Sequence, residues 1–174
     1  MKSGYWQDLT TKDFSSLEPS KTVALLPVSA VEQHGPHLPL STDALINEGI
    51  VSGTLRALPV SSNVLVLPSL TVGSSLEHIT FPGTLTVNSE NLLSFWKSVG
   101  SSVCRAGIRK LVLLNSHGGN KALVDLVALQ LRAEMQMLVV RANYFDFGMP
   151  KDLFKQDELR NGFHGGEVET SLIM

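Results

Sequence analysis

The segment "RKLVLLNSHGGNKALVDLVALQLRAEMQMLVVRANYFDF", residues 109–147, decides the fold class. Its first part, residues 109–116, is a short apolar run of the kind found in strands that are covered on both faces. Residues 120–135 carry apolar side chains at helical spacing, and residues 136–147 predict another strand. A strand, a helix and a strand in succession indicate two parallel strands joined by a crossover helix.

The same alternation extends towards the N-terminus. Residues 21–30 ("KTVALLPVSA") and residues 63–73 ("NVLVLPSLTVG") predict two further buried strands. Helical periodicity follows each of them, over residues 42–58 and residues 88–108. Between the second strand and its helix, residues 78–87 predict irregular structure or an edge strand, because Pro and Gly interrupt them. The whole order predicts an α/β fold around a mainly parallel sheet.

Both of these helices have candidate capping residues at their starts. Thr42 or Asp43 is able to cap the first helix. Asn88 or Ser89, followed by the acidic Glu90, predicts a capping box at the start of the second.

Length and composition limit the function classes. A chain of 174 residues is expected to form one domain, residues 1–174. The net charge of −2 and the absence of a basic run argue against nucleic acid as a partner. No apolar stretch predicts a signal peptide or a membrane span, so a cytoplasmic protein with no membrane partner is expected. Cys104 is the only cysteine, which excludes a sulfur-rich zinc site, and its helical surroundings predict a buried, inert thiol.

Two polar loops follow predicted strands. The loop "AVEQHGPHLPLSTD" (residues 30–43) comes after the first strand, and "NSHGGN" (residues 115–120) comes after the third. In open parallel sheets the loops beyond the carboxyl ends of the strands form the ligand crevice. The side chains that this order places along one edge are Glu32, His34, His37, Asp43 and His117.

Imidazole and carboxylate groups in one crevice suit Zn²⁺, Mn²⁺ or Fe²⁺. The third segment, "FHGGEVETS" (residues 163–171), adds His164 with Glu167 and Glu169 behind it, so four of the five histidines lie in three glycine-flanked loops. Asp43 has a short side chain that could bridge two ions. A solvent-exposed or purely structural loop is the plainer interpretation of any one segment, but the three together favour a metal site. For His78, a structural hydrogen bond and a substrate contact are equally supported.

These motifs together resemble the creatininase (creatinine amidohydrolase) family. The matching segments are "LPVSAVEQHGPHLPLSTD", "SSLEHITFPGT", "LVLLNSHGGN" and "HGGEVETSLIM", in the family's order. The resemblance implies a three-layer α/β/α fold, a homo-oligomer that is often a hexamer, and a centre of two divalent metal ions. It also implies that a metal-bound hydroxide hydrolyses a non-peptide C–N bond in a small molecule, such as a cyclic amide or a formamide.

The resemblance also implies roles for individual residues. Glu32 and His117 would hold one ion, His34 would hold the second, and Asp43 would bridge the two. His164 would be the catalytic histidine that moves a proton between water and the leaving nitrogen.

The sequence departs from creatininases proper at three points. Gly119 stands where their second ion takes a glutamate, and Glu169 is the candidate replacement. No tryptophan lies near Phe145 or just before His164, which argues against creatinine as the substrate. The chain ends soon after a helical pattern begins, near residue 167, so the domain is expected to be incomplete at its C-terminal end.

These departures leave several functions open. Within the family, a deformylase acting on a formylamino-pyrimidine nucleotide and a peptidase that trims a small modified peptide are both compatible with the motifs. The alternatives outside this function are a non-catalytic or degenerate metal- or ligand-binding member of the fold and a hydrolase with a single metal ion.

Overall fold

The computed structural model describes residues 3–150 and 152–174. In them, the predicted order of strands and helices is confirmed, and a short strand and helix precede it. The strands are β1 (Gly4–Tyr5), β2 (Val23–Val28), β3 (Val64–Val66), β4 (Lys110–Asn115) and β5 (Leu138–Asn143). The helices are α1 (Thr11–Ser15), α2 (Thr42–Ala57), α3 (Ser89–Arg105), α4 (Lys121–Met135), α5 (Gln156–Asn161) and α6 (Glu167–Ile173). Within the described residues, no helix is both long and apolar enough to cross a membrane.

The five strands form one parallel sheet in the order β1-β3-β2-β4-β5. The prediction of a mainly parallel sheet is therefore confirmed. β2 and β4 are neighbours at its centre, with Ala24 opposite Leu111 and Val28 opposite Asn115. Because both strands run in the same direction and end in register, the loops that follow them emerge side by side at the carboxyl edge.

Side chains of β2 alternate between two cores, one on each face of the sheet. Leu26 packs into the larger core, together with the fully buried Trp96 of α3 and Leu131 of α4. Leu25 packs on the opposite face against Val51 of α2. Helices thus cover both faces, which confirms the three-layer α/β/α architecture.

Neither predicted helix cap forms. Asn88 is the residue before α3, but its side chain makes no capping hydrogen bond with any described residue, so the predicted capping box is wrong. At the start of α2, the hydroxyl of Thr42 donates back to the carbonyl of Pro39 at 2.7 Å instead of accepting from the helix. The carboxylate of Asp43 is turned towards two histidines. The contacts of Asp43 with these histidines outweigh its local preference for capping the helix.

Two further local predictions can be compared with the structure. Residues 78–87 are irregular, as one of the two alternatives predicted, with a 3-10 turn at Leu76–His78 and a single bridge from Leu85 to Val31. Cys104 is only half-buried at the edge of the larger core, so the prediction of a buried thiol is wrong. It lies near the C-terminal end of α3, where the helix leaves the core.

Candidate metal centre

Four polar side chains meet at the carboxyl edge of the sheet, at the point where β2 and β4 end. Glu32 and His34 follow β2, Asp43 lies in the first turn of α2, and His117 follows β4. Each of the four side chains is at most 4% exposed. We refer to Glu32, His34, Asp43 and His117 as the floor.

Asp43 is central to the floor because its two carboxylate oxygens face different histidines. Its Oδ1 lies 3.4 Å from Nε2 of His34, and its Oδ2 lies 3.2 Å from Nδ1 of His117. The same Nδ1 of His117 is 3.1 Å from Oε1 of Glu32. A carboxylate in this position has one oxygen available for each of two adjacent metal ions.

Backbone carbonyls orient both imidazole rings of the floor. Nδ1 of His34 lies 3.1 Å from the carbonyl of Glu32, and Nε2 of His117 lies 2.7 Å from the carbonyl of Ser74. A carbonyl can only accept, so these two nitrogens carry the protons of the neutral rings. The opposite nitrogens, which face the carboxylates, are left with free lone pairs, as in metal-binding histidines.

Buried hydrogen bonds join the ends of β2 and β4 to α2. The side-chain amide of Asn47 in α2 donates to the carbonyls of Val28 and Leu114, at 3.0 and 3.1 Å. The hydroxyl of Ser116 donates to the backbone carbonyl of Asp43 at 2.8 Å. The three elements that carry the floor are therefore held together by groups that would be costly to leave unpaired.

The charges of the floor are strongly coupled. Burial alone would lower the pKa of His117, but the carboxylates of Asp43 and Glu32 outweigh it and raise that pKa to about 10. Burial also acts to lower the pKa of His34, but Asp43 acts against it, and this pKa is raised as well. The pKa values of Glu32 and Asp43 are lowered, because the attraction of the histidines exceeds the effect of burial. Protons on the histidines thus balance the carboxylates in the metal-free protein.

The floor meets the requirements of a divalent cation. Four of its buried atoms have no hydrogen-bond partner among the described residues: Oε1 and Oε2 of Glu32, Nε2 of His34 and Oδ2 of Asp43. Buried polar atoms without partners are costly unless something else satisfies them. Carboxylate oxygens and imidazole nitrogens are the ligands that Zn²⁺, Mn²⁺ and Fe²⁺ accept.

Above the floor lies a cavity of about 630 Å³. Its wall includes Tyr144, Phe145, Phe163, His164 and Glu169. We refer to these five residues as the wall. Two of them lie in the turn after β5, and the other three lie in or beside α5 and α6.

The two sequence-predicted residues of the wall both reach the floor. Nδ1 of His164 lies 3.8 Å from Oε1 of Glu32, and its ring packs against that of His34, with 4.2 Å between centroids and the planes tilted by 34°. Oε1 of Glu169 lies 3.8 Å from Nε2 of His34. Glu169, His34 and Asp43 are therefore close enough to share one ion.

Gly119 has no room for a side chain. A Cβ atom at this position would lie 2.3 Å from the carbonyl oxygen of Ser74 and 2.6 Å from Nε2 of His117. The backbone of Gly119 therefore lies close to both partners of the hydrogen bond between Nε2 of His117 and the carbonyl of Ser74. A glutamate at position 119 is incompatible with this arrangement unless the chain shifts.

One histidine predicted on this edge lies outside the site. The side chain of His37 is exposed, and its Nε2 lies 3.1 Å from the hydroxyl of Thr170. Gly35, with φ of +74°, turns the chain between the two histidines of this loop, so only His34 points inward. His37 instead joins this loop to α6.

The structure adds residues that the sequence analysis did not select. Tyr144 follows β5 directly, and burial, then Glu169 and Asp43, raise its pKa, so its hydroxyl stays protonated. Lys121 lines the cavity at the start of α4, with its ammonium 5.0 Å from the centre of the Phe145 ring. Oε1 of Glu77 lies 3.7 Å from Nε2 of His117. The rule that selected the loops after β2 and β4 would also have selected Tyr144, had it been applied to β5.

This arrangement can be compared with known proteins. The sequence model of the family described as "Creatininase: Creatinine amidohydrolase" matches residues 7–174. The chain belongs to the creatininase family. The resemblance inferred from the four motifs is thus confirmed.

Two curated relatives of this creatininase-family chain have different names. The "Mycofactocin precursor peptide peptidase" of Mycobacterium tuberculosis is 37% identical over 132 residues, which are 72% of this chain and 51% of the relative. The "Creatinine amidohydrolase" of Pseudomonas putida is 30% identical over 99% of this chain and 72% of its own length. The chain therefore spans about half the length of the mycobacterial relative.

Solved creatininases share the fold. A mutant creatininase described as the Zn-Zn type superimposes with a TM-score of 0.80 and 29% identity, covering 99% of this chain and 72% of its own. A creatininase described with Mn gives a TM-score of 0.79 and 30% identity, with the same shares covered.

Proposed function

We propose that this protein is a metal-dependent amidohydrolase that cleaves a non-peptide C–N bond in a small molecule. The observation that carries the proposal is the position of Asp43, whose two oxygens each face a different buried histidine. Family membership supports hydrolase chemistry, and the Zn and Mn forms of solved relatives support metal dependence.

The residues present would hold two ions. Glu32 and His117 would bind one, His34 and Glu169 would bind the other, and Asp43 would bridge them. Such ions would supply Lewis acidity, which activates water for attack and stabilises negative charge that develops on the substrate oxygen. Zn²⁺, Mn²⁺ and Fe²⁺ all suit this set of nitrogen and oxygen ligands.

His164 would transfer the proton of the reaction. Its Nε2 contacts the backbone carbonyl of Gln33, which can only accept, so the neutral ring carries its proton there and keeps the lone pair of Nδ1 free. Hydrolysis forms a C–O bond from water and breaks the C–N bond. The proton that water loses would pass to Nδ1 of His164 and then to the leaving nitrogen, which restores the ring.

The wall favours a small substrate with a flat part. Tyr144, Phe145 and Phe163 offer aromatic rings above a floor of charged groups. None of the described residues that line the cavity is a tryptophan, which adds to the doubt about creatinine as the substrate. The 37% identity to a named peptidase makes cleavage of a short peptide the second candidate, since the motifs do not separate the two.

Metal content and hydrolysis, measured together, test the proposal. The chain is equilibrated with Zn²⁺ or Mn²⁺, freed of excess metal, and assayed by elemental mass spectrometry and on a panel of formamides, lactams and short peptides. About two ions per chain with turnover of a formamide or lactam is the expected result. Ions without turnover of any substrate would favour the non-catalytic alternative, one ion with turnover the mononuclear alternative, and no bound ion would overturn the proposal.

We also propose a homo-oligomer, of six subunits by family resemblance, in the cytoplasm, with residues 1–174 in one domain. Sedimentation of the metal-loaded chain measures its assembly directly. A monomer at micromolar concentration would contradict the hexamer without affecting the metal site.

A further inference from the structure

His78 also lines the cavity, and its ring lies against that of His164. The two ring centroids are 4.4 Å apart and their planes are inclined by 23°. Both residues line the cavity, and both rings face Oε1 of Glu32. The hydrogen bonds around Gln33 determine what each ring presents to the cavity.

The amide orientation of Gln33 is fixed by its local backbone. Its Oε1 accepts from the N–H of Gly35 at 3.0 Å, so that atom must be the oxygen. Its Nε2 therefore faces Nδ1 of His78, at 3.0 Å. An amide NH₂ group only donates, so Nδ1 of His78 is the acceptor. Neutral His78 must then carry its proton on Nε2.

The main chain of the same residue sets the second ring. The carbonyl of Gln33 accepts from Nε2 of His164, which leaves Nδ1 of that ring unprotonated. One residue thus gives two stacked histidines opposite functions, an N–H donor on His78 and a lone pair on His164. The two atoms lie at the same distance, 3.8 Å, from Oε1 of Glu32.

The donor of His78 is available to a ligand. Its distance of 3.8 Å from Glu32 is too long for a hydrogen bond. The side chain is 12% exposed, so the N–H is largely shielded from solvent but reaches the cavity. Phe81 packs against the ring at 6.0 Å between centroids and helps to keep it in place.

We propose that His78 is a second catalytic histidine, whose Nε2–H donates a hydrogen bond to the substrate oxygen as negative charge develops on it. His78 keeps its proton throughout and acts as a fixed donor beside the proton-transferring His164. Gln33 is the positioning residue that sets the tautomers of both rings. The role of His78 in catalysis rests on the proposed hydrolase function, whereas the tautomers do not.

The tautomers can be measured without any assay of activity. The full chain, labelled with ¹⁵N-histidine and studied at pH 8 both metal-free and with Zn²⁺, is expected to show His78 protonated at Nε2 only. Gln33→Glu replaces the donor by a nearly isosteric acceptor, so His78 is expected to gain a proton at Nδ1. Gln7→Glu, at an exposed position near the N-terminus, is the matched control and is expected to leave the His78 signals unchanged. An Nδ1–H tautomer in the unmodified chain, or no change in Gln33→Glu, would overturn the inference.

Two substitutions at His78 separate hydrogen bonding from stacking. His78→Phe keeps an aromatic ring against His164 but has no donor, and kcat is expected to fall about 10²–10³-fold with metal content unchanged. His78→Gln keeps an N–H at the end of the side chain and is expected to recover part of that loss. If kcat of His78→Phe equals that of the unmodified chain, the catalytic role of His78 is overturned, whereas the inference about the tautomers is not affected. An unmodified chain that hydrolyses no substrate would overturn the proposed function and that role, while the tautomer result would still test Gln33.

Discussion

The floor and the wall of the cavity are built in different ways. The floor lies on residues that leave the two central strands and on the first turn of α2, and its side chains are almost completely buried. The wall lies on a 3-10 turn and on the segment around α5 and α6, helices in which no residue is buried. His164 and Glu169 remain 18% and 15% exposed. The floor is therefore held by the rigid centre of the sheet, and the wall lies on a less firmly packed segment.

The largest expected effect is at Asp43, the floor residue that would bind both metal ions. Asp43→Ala removes the two oxygens that face His34 and His117, so both ions are expected to be lost, from about two per chain to none. Elemental mass spectrometry after removal of excess Zn²⁺ gives the count. Asp125→Ala, which removes an exposed carboxylate paired with Arg141, is the control and should keep both ions. Retention of one ion in Asp43→Ala would contradict the bridging assignment.

A smaller effect is expected from the wall. Glu169→Gln removes one ligand of the second ion only, so one ion is expected to remain on Glu32, Asp43 and His117. The same stoichiometry measurement applies, with Glu167→Gln on the exposed side of the same helix as the control. Loss of both ions would show that the floor does not hold an ion without Glu169, which would contradict separate roles for the floor and the wall.

The close packing around Gly119 predicts a change in stability. Gly119→Ala places a methyl group 2.3 Å from the carbonyl of Ser74, so the free energy of unfolding is expected to fall by about 1–3 kcal/mol. Gly118→Ala is the matched neighbour, because a Cβ there meets nothing within 4 Å, and it should change stability by no more than about 0.5 kcal/mol. Urea unfolding of the two variants measures the difference. Equal losses would show that the Gly119 contact is easily relieved.

The most gradual effect is the pH dependence of the metal-free chain. The pKa of His117 is raised to about 10, so its stabilising contribution is complete below about pH 6.5 and is lost as the pH rises towards 10. The lowered pKa values of Glu32 and Asp43 add stability that is lost as the pH falls below their ordinary range near 4. Stability should therefore decline above pH 6.5, by at most about 1.4 kcal/mol per pH unit for each proton involved.

Urea unfolding between pH 6 and 9.5, in the presence of a chelator, measures this slope. With Zn²⁺ bound, metal ions take the place of the protons, so the slope above pH 7 should become flatter. An identical slope with and without metal would contradict the assignment of His117 as a ligand.

Sequence patterns were sufficient for the layers and for the edge that carries the floor. The apolar runs of β2 and β4 and their loops placed Glu32, His34, Asp43 and His117 together, because parallel strands end on the same side. The same rule failed for His37, since a single glycine with positive φ turns that side chain outward. The separate prediction of helix caps also failed, and at α2 the reason is that buried histidines compete for the carboxylate of Asp43. Tyr144 was within reach of the same rule, since it follows β5 directly. The contact of Lys121 with Phe145 and the pairing of His78 with His164 join segments far apart in the chain, which no local pattern encodes.

The hydrogen bonds of Asn47 have a consequence for how such proteins diversify. They fasten α2 to the ends of β2 and β4, whereas the turn after β5 and the segment of residues 156–174 lie outside this network. Insertions or substitutions in those outer parts, other than at His164 and Glu169, can reshape the opening of the cavity while the four floor residues keep their spacing. New substrates then become accessible through loop variation alone, and laboratory evolution of this chain should begin with libraries at Tyr144, Phe145 and Phe163.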